Sequence, residues 1–379
     1  VDAGTTQQRN RAMNEFLLIY TDPHHGLDLR ANTTPASRKR LDQAIQQKAS
    51  DIVSNDGLIT VCAGDFYHRF SNNEDVLVAS AETLEKTDFV LGGNHDVMND
   101  SERMSSLGLM KTLTLAKGII MPELGKAVVH SHRVHPEGLQ AAVNLVFIPH
   151  HSTRESFAEA LTTAYTAASE DKSDSAHILF LHCNYDCPMS EKDTEMNLDH
   201  GMAATLLEVF DFIFIGHDHN PKEDFDGRLV VIGSMHPTNF GDCVSSKRFV
   251  TVGVNDSGSL QVNYHESWNK DSFIHVEPGR VDMVDKDKHQ FIRVSGKVTP
   301  AEVGALTKQM KEWLESPTVF AVKADLKVVT EVSDDDKFDT NSESETARVT
   351  DIITRELQSQ APELLELWKS LISLENGNA

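Results

Sequence analysis

Five segments of the sequence end a run of bulky apolar residues with side chains that can bind metal ions. The last of them reads FIFIGHDHN over 212–220 and places His217 and His219 two residues apart, so in extended backbone both imidazoles share a face. The other four supply further carboxylate, amide and imidazole groups, namely Asp22 and His24, Asp65, Asn94 and His95, and His182. This mixed set of oxygen and nitrogen ligands suits Mn²⁺, Fe²⁺ or Zn²⁺, whereas Ca²⁺ prefers oxygen ligands.

Such a set of ligands can serve two metal ions side by side. His217 and His219 could each bind a different ion, and Asp65 is the natural candidate for a carboxylate that bridges them. Paired ions about 3.5–4 Å apart can hold a bridging hydroxide and neutralise a phosphoryl group during in-line displacement. The residue types therefore indicate hydrolysis of a phosphoester.

The predicted strands and helices bring these side chains to one edge of a sheet. Apolar runs bounded by turn residues predict strands at 16–20, 58–63, 88–92, 142–149, 177–182, 210–216, 228–233, 248–254 and 260–265. Apolar spacing over 37–52 and an alanine-rich segment over 156–168 predict helices that cover the sheet. The fold class is therefore predicted to be α/β, a layered sandwich in which turns after several strands project onto one point.

Each motif taken alone also has an ordinary structural explanation. Asp22-Pro23-His24 is more often a turn than a ligand pair, Asp65 could cap a helix, and His217-Asp218-His219 could be a polar turn. Asp96 is interpreted as structural, a carboxylate that accepts hydrogen bonds from backbone donors of its turn. The combination of all five segments in one order along one edge favours the metal site.

Three further histidines and two cysteines are interpreted without a metal. His150, His151 and His236 are read as ordinary loop histidines near the cleft, and Cys183 and Cys187 as small, partly buried residues.

The order D-P-H, G-D, G-N-H-D, H, G-H-D-H resembles the calcineurin-like metallophosphoesterase superfamily. Within it, the closer resemblance is to the SbcD-type recombination and repair nucleases, including the recombination endonuclease subunit of T-even-like bacteriophages. The matching segments are DPHHG at 22–26, GDFYH at 64–68, GHDHNP at 216–221, Gly233-Ser234 and FGD at 240–242.

The resemblance implies a four-layer β-sandwich flanked by helices and a two-metal centre. It implies that one ion is bound by Asp22, His24, Asp65 and His219, and the other by Asp65, Asn94, His182 and His217. It assigns catalysis to His95, which would protonate or stabilise the leaving oxygen, with His68 at the position of a residue that orients it. The cofactors are expected to be two divalent ions, most readily Mn²⁺, with Mg²⁺, Fe²⁺ or Zn²⁺ as alternatives.

Changes in composition and apolar spacing along the sequence predict five parts, one of which is the catalytic domain. They are a disordered leader at 1–12, a catalytic domain at 13–270, a small β-α-β domain at 271–332, an acidic flexible linker at 333–345, and a helical pair at 346–379. The resemblance implies that the domain at 13–270 is the nuclease domain and that the domain at 271–332 is a cap that contacts DNA. The resemblance implies that the helical pair binds the coiled coil of an SbcC-like ATPase. It also implies a homodimer, for which the apolar helices after Ser101 are candidates.

The composition of the sequence disfavours several classes of protein. The 379 residues carry a formal net charge of −23, which disfavours simple electrostatic attraction to a polyanion. No apolar run approaches the roughly 20 residues of a membrane-spanning helix, and the polar start of the sequence does not resemble a signal peptide, so we expect a cytoplasmic protein without a membrane partner. The four cysteines form no paired motif and are expected to be reduced.

Three functions remain open from the sequence. The first is a two-metal DNA exonuclease or endonuclease within an SbcCD-like recombination and repair complex. The second is a phosphatase or cyclic-nucleotide phosphodiesterase that acts on small substrates, although such an enzyme has little use for the appended segments. The third is a non-catalytic scaffold for an ATPase, although a scaffold does not require an intact set of metal ligands.

Overall fold

The computed structural model describes residues 14–29, 31–55, 57–97, 104–113, 118–187, 196–243, 245–329, 354 and 358. The strands within these residues are β1 (Asn14–Tyr20), β2 (Ile59–Cys62), β3 (Phe89–Leu91), β4 (Ile119–Ile120), β5 (His130–Val134), β6 (Val143–Ile148), β7 (Ala176–His182), β8 (Asn184–Tyr185), β9 (Asn197–Leu198), β10 (Phe212–Gly216), β11 (Lys222–Asp224), β12 (Leu229–Val231), β13 (Lys247–Val254), β14 (Leu260–Trp268), β15 (Phe273–Val276), β16 (Phe291–Val298) and β17 (Ala321–Val328). The α-helices are α1 (Pro35–Val53), α2 (Glu74–Glu85), α3 (Ser106–Leu113), α4 (Arg154–Glu170), α5 (His200–Leu206) and α6 (Pro300–Glu315).

Two six-stranded sheets form the centre of the molecule. The first has the order β14-β13-β1-β2-β3-β4 and the second the order β11-β12-β10-β7-β6-β5. Strands β1 to β4 run parallel, as do β6, β7, β10 and β12. Antiparallel strands form one edge of the first sheet, through β13 and β14, and both edges of the second, through β11 and β5. The α/β fold class predicted from the sequence is confirmed.

An apolar core lies between the two sheets because each sheet directs apolar side chains toward the other. Leu17, Ile19 and Val61 of the first sheet belong to the same buried cluster as Phe147 and Phe180 of the second. The rings of Phe147 and Phe180 stack with their centroids 4.9 Å apart, and Phe89 stacks on Phe147 at 4.8 Å. This core holds the two sheets face to face.

Helices cover the outer face of each sheet, which completes a four-layer arrangement. Helices α1 to α3 contribute to a cluster with the first sheet, and α4 and α5 to a cluster with the second. Helix α1 begins at a capping box on Thr34, with Pro35 in the first turn, and it buries the stripe of Leu41, Ile45, Ala49 and Ile52 predicted from the sequence.

Residues 273–328 add a smaller unit made of three parallel strands in the order β15-β16-β17 and helix α6. It packs on the body through an apolar cluster that includes Leu27, Leu29, Phe240, Phe291 and Phe320. The guanidinium of Arg40 on α1 also donates to the carbonyl oxygens of Leu314, Ser316 and Val319, at 2.8–3.0 Å. The small unit is therefore seated directly on the loop that follows β1.

Three predicted segments lie outside the described residues: the leader at 1–12, the acidic linker at 333–345 and, apart from residues 354 and 358, the helical pair at 346–379. Within the part of the chain that is described, no helix has the length and apolar character needed to cross a membrane.

Replacement of Phe147 by Ala should lower the free energy of unfolding by about 3–5 kcal/mol, because it leaves a cavity between the sheets. The ring is fully buried and stacks on Phe89 and Phe180. Urea unfolding of the metal-free protein measures this change. Phe147→Leu, which keeps most of the apolar volume, should cost only about 1 kcal/mol. An equal effect of both substitutions would contradict a tightly packed core at this position.

Candidate metal centre

All the side chains singled out for metal binding follow the carboxyl ends of parallel strands. Asp22 and His24 follow β1, Asp65 follows β2, Asn94 follows β3, His182 ends β7, and His217 and His219 follow β10. Because strands β1 to β3 belong to one sheet and β7 and β10 to the other, the site lies where the two sheets meet at one edge. The structure brings all seven side chains together.

The first group of side chains consists of Asp22, His24 and His219. The Nε2 atoms of His24 and His219 lie 3.2 Å apart, and each is 3.7 Å from Oδ1 of Asp22. Two nitrogens bound to one tetrahedral Zn²⁺ at about 2.0–2.1 Å are roughly 3.4 Å apart, so the spacing suits a shared cation. These ligand atoms lie close enough to one another to hold a metal ion.

The second group consists of Asp65, His182 and His217, with Asn94 between the two histidines. Oδ1 of Asn94 lies 3.1 Å from Nε2 of His182 and 2.8 Å from Nδ1 of His217. Nε2 of His182 is 3.4 Å from Oδ1 of Asp65. This group could also hold a metal ion.

Asp65 connects the two groups. Its Oδ1 faces His182 at 3.4 Å, and its Oδ2 faces His24 of the first group at 3.8 Å. Its carboxylate is fully buried, and Oδ1 also accepts the backbone N–H of His95 at 2.9 Å. A carboxylate in this position can contribute one oxygen to each of two ions.

The backbone is strained at four of these residues. Asp22, His24, Asp65 and His217 have φ angles of 52°, 43°, 50° and 93°, in a region that residues other than glycine rarely adopt. Such strain persists only where the surrounding structure enforces it, and it is commonest at functional sites. Here it turns each side chain inward toward the same point.

Two glycines allow the loops to approach so closely. A Cβ on Gly64 would lie 2.0 Å from Nδ1 of His182, and a Cβ on Gly93 would lie 2.1 Å from Oδ1 of Asp65. Either side chain would push a ligand out of place. The G-D and G-N-H motifs therefore need their glycines for space.

The residues present fit divalent cations. Oδ1 of Asp22 is buried and has no hydrogen-bond partner among the described residues, although Oδ2 accepts from Thr21 Oγ1 and from the backbone N–H of His217. Burial of an unpaired carboxylate oxygen is costly unless a cation compensates it. This unpaired oxygen therefore suits a cation bound beside Asp22.

The pKa values of the buried pair Asp65 and His182 indicate the same need for positive charge. Burial by itself raises the pKa of Asp65, but attraction to His182 holds that pKa well below its usual value. Burial by itself lowers the pKa of His182, but Asp65 raises it to about 9. Both shifts arise from the attraction of Asp65 for a positive charge beside it, and a bound cation could supply that charge.

Contacts behind the ligands fix the orientation of the imidazoles. Nδ1 of His182 donates to the carbonyl oxygen of Ala63 at 2.8 Å, which leaves Nε2 free to face Asp65. Nδ1 of His219 lies 3.0 Å from Oδ2 of Asp242 and 2.6 Å from Oγ1 of Thr238.

His95 and His68 lie beside the first group. Nδ1 of His95 donates to the backbone oxygen of His68 at 2.7 Å, and the ring of His68 stacks on that of His95 at 5.3 Å. The ring of His95 is 4.9 Å from that of His24. Burial, followed by repulsion from His95, lowers the pKa of His68 to about 4, which favours the neutral form.

Asp96 has the structural role predicted for it. Its carboxylate accepts the backbone N–H groups of Phe66, Tyr67 and Gly93 at 3.0–3.1 Å and so joins the turn after β2 to the turn after β3. Burial, together with the charge of Asp65, raises the pKa of Asp96 to about 7.

His150, His151 and His236 lie in loops, as the sequence predicted, and all three are buried. His236 bonds to the carbonyl oxygens of Pro23 and Pro237, and His151 bonds to the carbonyl oxygen of Pro149 and the backbone N–H of Val128. Within the described part of the chain, neither ring nitrogen of His150 has a hydrogen-bond partner, and its ring lies 6.4 Å from that of His182. His150 therefore lies beside the second group, near the cleft as the sequence predicted.

The family model of calcineurin-like phosphoesterases matches residues 17–221, a span that begins in β1 and contains every residue of both groups. The chain belongs to this family. Its members typically bind two divalent metal ions, and membership makes this chain a metal-dependent phosphoester hydrolase.

Other comparisons add little to the family match. No curated protein matches the chain. A conserved uncharacterized protein of Streptococcus pneumoniae, a predicted phosphoesterase, is similar over 67% of this chain and 90% of its own, with 9% identity and a TM-score of 0.27. GAP50, the anchor in the inner membrane complex of Plasmodium, is similar over 86% of this chain and 100% of its own, with 13% identity and a TM-score of 0.34. Neither similarity is strong enough to indicate a substrate.

Sequence reasoning did not identify the residues that support the ligands. Thr21, Thr238 and Asp242 contact ligand side chains, and Lys247 donates to the backbone oxygen of His219 at 2.9 Å although its side chain is completely buried. The FGD segment at 240–242 was visible as part of a resemblance, but nothing in its spacing indicates that it contacts His219.

Replacement of Gly93 by Ala should displace Asp65 and reduce Mn²⁺-dependent phosphoesterase activity by about 100-fold, since misplacement of a catalytic group by about 1 Å can cost that much. The added Cβ would also lie 2.4 Å from the backbone nitrogen of Asp65, so a side-chain rotation cannot relieve the clash. Gly304→Ala is the matched control, because that glycine lies in α6 with nothing within 4 Å of the added Cβ. Normal activity of the Gly93 variant would rule out this steric requirement.

Proposed function

We propose that the chain is a two-metal DNA nuclease, an exonuclease or endonuclease that hydrolyses phosphodiesters. The family supplies the phosphoester chemistry, and the observation that carries the choice of DNA is a positively charged sheet face on the small unit. We further propose that it acts as a subunit of an SbcCD-like recombination and repair complex.

In this proposal Asp22, His24, Asp65 and His219 bind one divalent cation, and Asp65, Asn94, His182 and His217 bind the other. Two such ions, when bound, activate water as a nucleophile and neutralise charge on the phosphoryl oxygens, and Mn²⁺ suits the mixed ligand set best. The carboxylate of Asp65 belongs to both groups of ligands and so connects them.

His95 is proposed as the general acid. Its Nδ1–H is engaged by the carbonyl oxygen of His68, so Nε2 is the ring nitrogen available to a substrate. When protonated, that nitrogen can donate to the leaving oxygen of a phosphodiester. His68 orients His95 through its backbone oxygen and by stacking, rather than through a side-chain hydrogen bond.

The open face of the small sheet carries an unusual concentration of positive charge. On β16 and β17, alternate residues pack under α6, and the intervening ones lie on the opposite face. That face carries Arg293, Lys297, Lys323 and Lys327, with Asp325 as its one acidic residue on these two strands. We call these five residues the basic face.

Like charges lie directly opposite each other on this face. Arg293 pairs in register with Lys323, and Lys297 with Lys327. Asp325 lies 2.8 Å from Arg293 and 3.8 Å from Lys323 and offsets part of the charge of that pair. Directly opposed like charges destabilise a sheet. A polyanion bound across the face would compensate that cost.

The basic face continues from the residue that joins the small unit to the loop after His24. Phe291, two residues before Arg293 on the same face of β16, packs in the cluster that contains Leu27 and Leu29 of the loop after His24. Two residues along a strand span about 7 Å. Residues 271–329 contain nine acidic and nine basic side chains, so this unit has no formal net charge in a chain whose total is −23. The small unit is thus the part of the molecule best suited to approach phosphates.

The partners remain proposals from the sequence resemblance. An SbcC-like coiled-coil ATPase would bind the helical pair at 346–379 and supply further phosphate contacts, and a homodimer would use the region of α3. On α3, Leu107 and Met110 are buried within the protomer and Leu113 is exposed.

Replacement of His95 by Asn should lower Mn²⁺-dependent degradation of DNA by about 10²–10⁴-fold, because it removes the proposed proton donor. Single-turnover digestion of defined linear and single-stranded DNA measures the effect. His132→Asn provides the same change at an exposed histidine on β5 and should leave the rate unchanged. A wild-type protein that hydrolyses nucleotides but no DNA, even with an ATPase partner and ATP, would favour the small-substrate phosphodiesterase instead.

The double substitution Lys297→Gln and Lys327→Gln should weaken DNA binding equally for all sequences. It should also reduce the slope of log K against log salt by about 2, since each phosphate contact contributes about one unit. Lys308→Gln with Lys311→Gln on α6 makes the same change of charge away from the basic face and should leave the slope unchanged. Equal slopes for both double variants would exclude the basic face as the DNA contact.

A further inference from the structure

A short turn after β12 lies against the metal centre but belongs to none of the motifs that supply its ligands. It spans 238–242, and within it Thr238 and Asp242 are buried, with 8% and 3% of their surface exposed. Oδ2 of Asp242 lies 3.0 Å from Nδ1 of His219, and Oγ1 of Thr238 lies 2.6 Å from the same nitrogen.

These contacts determine which nitrogen of His219 carries the proton. A neutral imidazole has one N–H, and a carboxylate beside Nδ1 holds that hydrogen there. Nε2 then presents its lone pair to the group formed with His24 and Asp22, where it lies 3.2 Å from Nε2 of His24. A carboxylate behind a ligating histidine also raises the basicity of the ligand nitrogen.

Asp242 is itself held firmly. Its Oδ2 accepts the hydroxyl of Thr238 at 2.7 Å and the backbone N–H of Thr238 at 3.2 Å, while Oδ1 accepts the backbone N–H of Asn239 at 3.2 Å. These bonds leave the carboxylate little freedom to move away from His219.

A buried lysine holds the other side of His219. Nζ of Lys247 donates to the backbone oxygen of His219 at 2.9 Å, and the lysine side chain has no exposed surface. Burial of an ammonium group is costly without nearby negative charge, which Asp242 supplies. The ring of His219 and its backbone are therefore both fixed.

The turn is also anchored to the small unit. Phe240 packs against Phe273 and Phe291, with ring centroids 6.0 and 6.3 Å apart. The position of Asp242 therefore depends on how the small unit sits on the body.

We propose that Asp242 is a positioning residue that, with Thr238, holds His219 in the tautomer and orientation that bind a divalent cation beside Asp22 and His24. This inference rests on the part of the proposed function that assigns a cation to that group, and it is independent of DNA as the substrate. In the described structure the Asp242 carboxylate bonds to His219 and to neither Asp22 nor His24, so it would act on the cation through His219.

Calorimetric titration of the metal-free protein with Mn²⁺ tests the proposal without any activity measurement. Wild type should show two binding steps, and His219→Ala identifies the step that belongs to the group of Asp22 and His24. Asp242→Asn should weaken that step by about 10–100-fold and leave the other step unchanged. The second step is an internal control, because Asp242 makes no hydrogen bond to Asp65, His182 or His217 in the described structure.

Asp218→Asn is the matched control for charge. The Asp218 carboxylate pairs with Lys222 at 2.6 Å instead of His219, and an Asn there keeps the oxygen that accepts the backbone N–H of Asn220. It should change neither binding step by more than about 2-fold. Asp242→Glu, which keeps the charge, should recover part of the lost affinity.

Two results for Asp242→Asn would overturn the proposal: unchanged affinity at both steps, or equal weakening of both, which would indicate a merely structural role. Absence of Mn²⁺ binding by wild type would instead refute the metal centre of the proposed function and this inference with it. A wild-type protein that binds Mn²⁺ in two steps but cleaves no DNA would refute the nuclease assignment and not the positioning role of Asp242.

Discussion

The site depends on one close contact between the two sheets, where the end of β2 meets the end of β7. Because Gly64 has no side chain, the ring of His182 can bond to the carbonyl oxygen of Ala63 and present Nε2 to Asp65. Asp65 can then face His182 of the second sheet and His24 of the first at the same time. Every other ligand is arranged around this shared carboxylate.

The energetic cost of that arrangement indicates what it is for. Buried carboxylates, an unpaired oxygen on Asp22 and four residues at positive φ all reduce the stability of the folded chain. The apolar core between the sheets and the helical layers outside them offset this cost. The fold thus holds a cluster of polar groups that is unfavourable until cations bind.

The small unit is connected to the centre by two routes. Leu27 and Leu29, which follow His24, pack in the same cluster as Phe291 and Phe320, and Phe240 of the turn beside His219 joins that cluster too. Both routes reach the group of Asp22, His24 and His219 rather than the group of His182 and His217. The basic face, which we propose as the contact for phosphates, and the group of Asp22, His24 and His219 are therefore joined through one apolar cluster.

The sequence by itself determined the α/β class, the main strands, the stripe of α1 and the residue types at the strand ends. These follow from local periodicity and from the short range over which a strand places the residues after it. Helices α2 and α5 and the short strands β4, β5 and β11 were not predicted, because their places in the fold depend on neighbours distant in the chain. Asp242, Thr238 and Lys247 could not be assigned for the same reason: their contacts with His219 cross 19 to 28 residues and exist only once the sheet has formed. The basic face also depends on tertiary structure, because the pairing of β16 with β17 sets which side chains lie opposite one another.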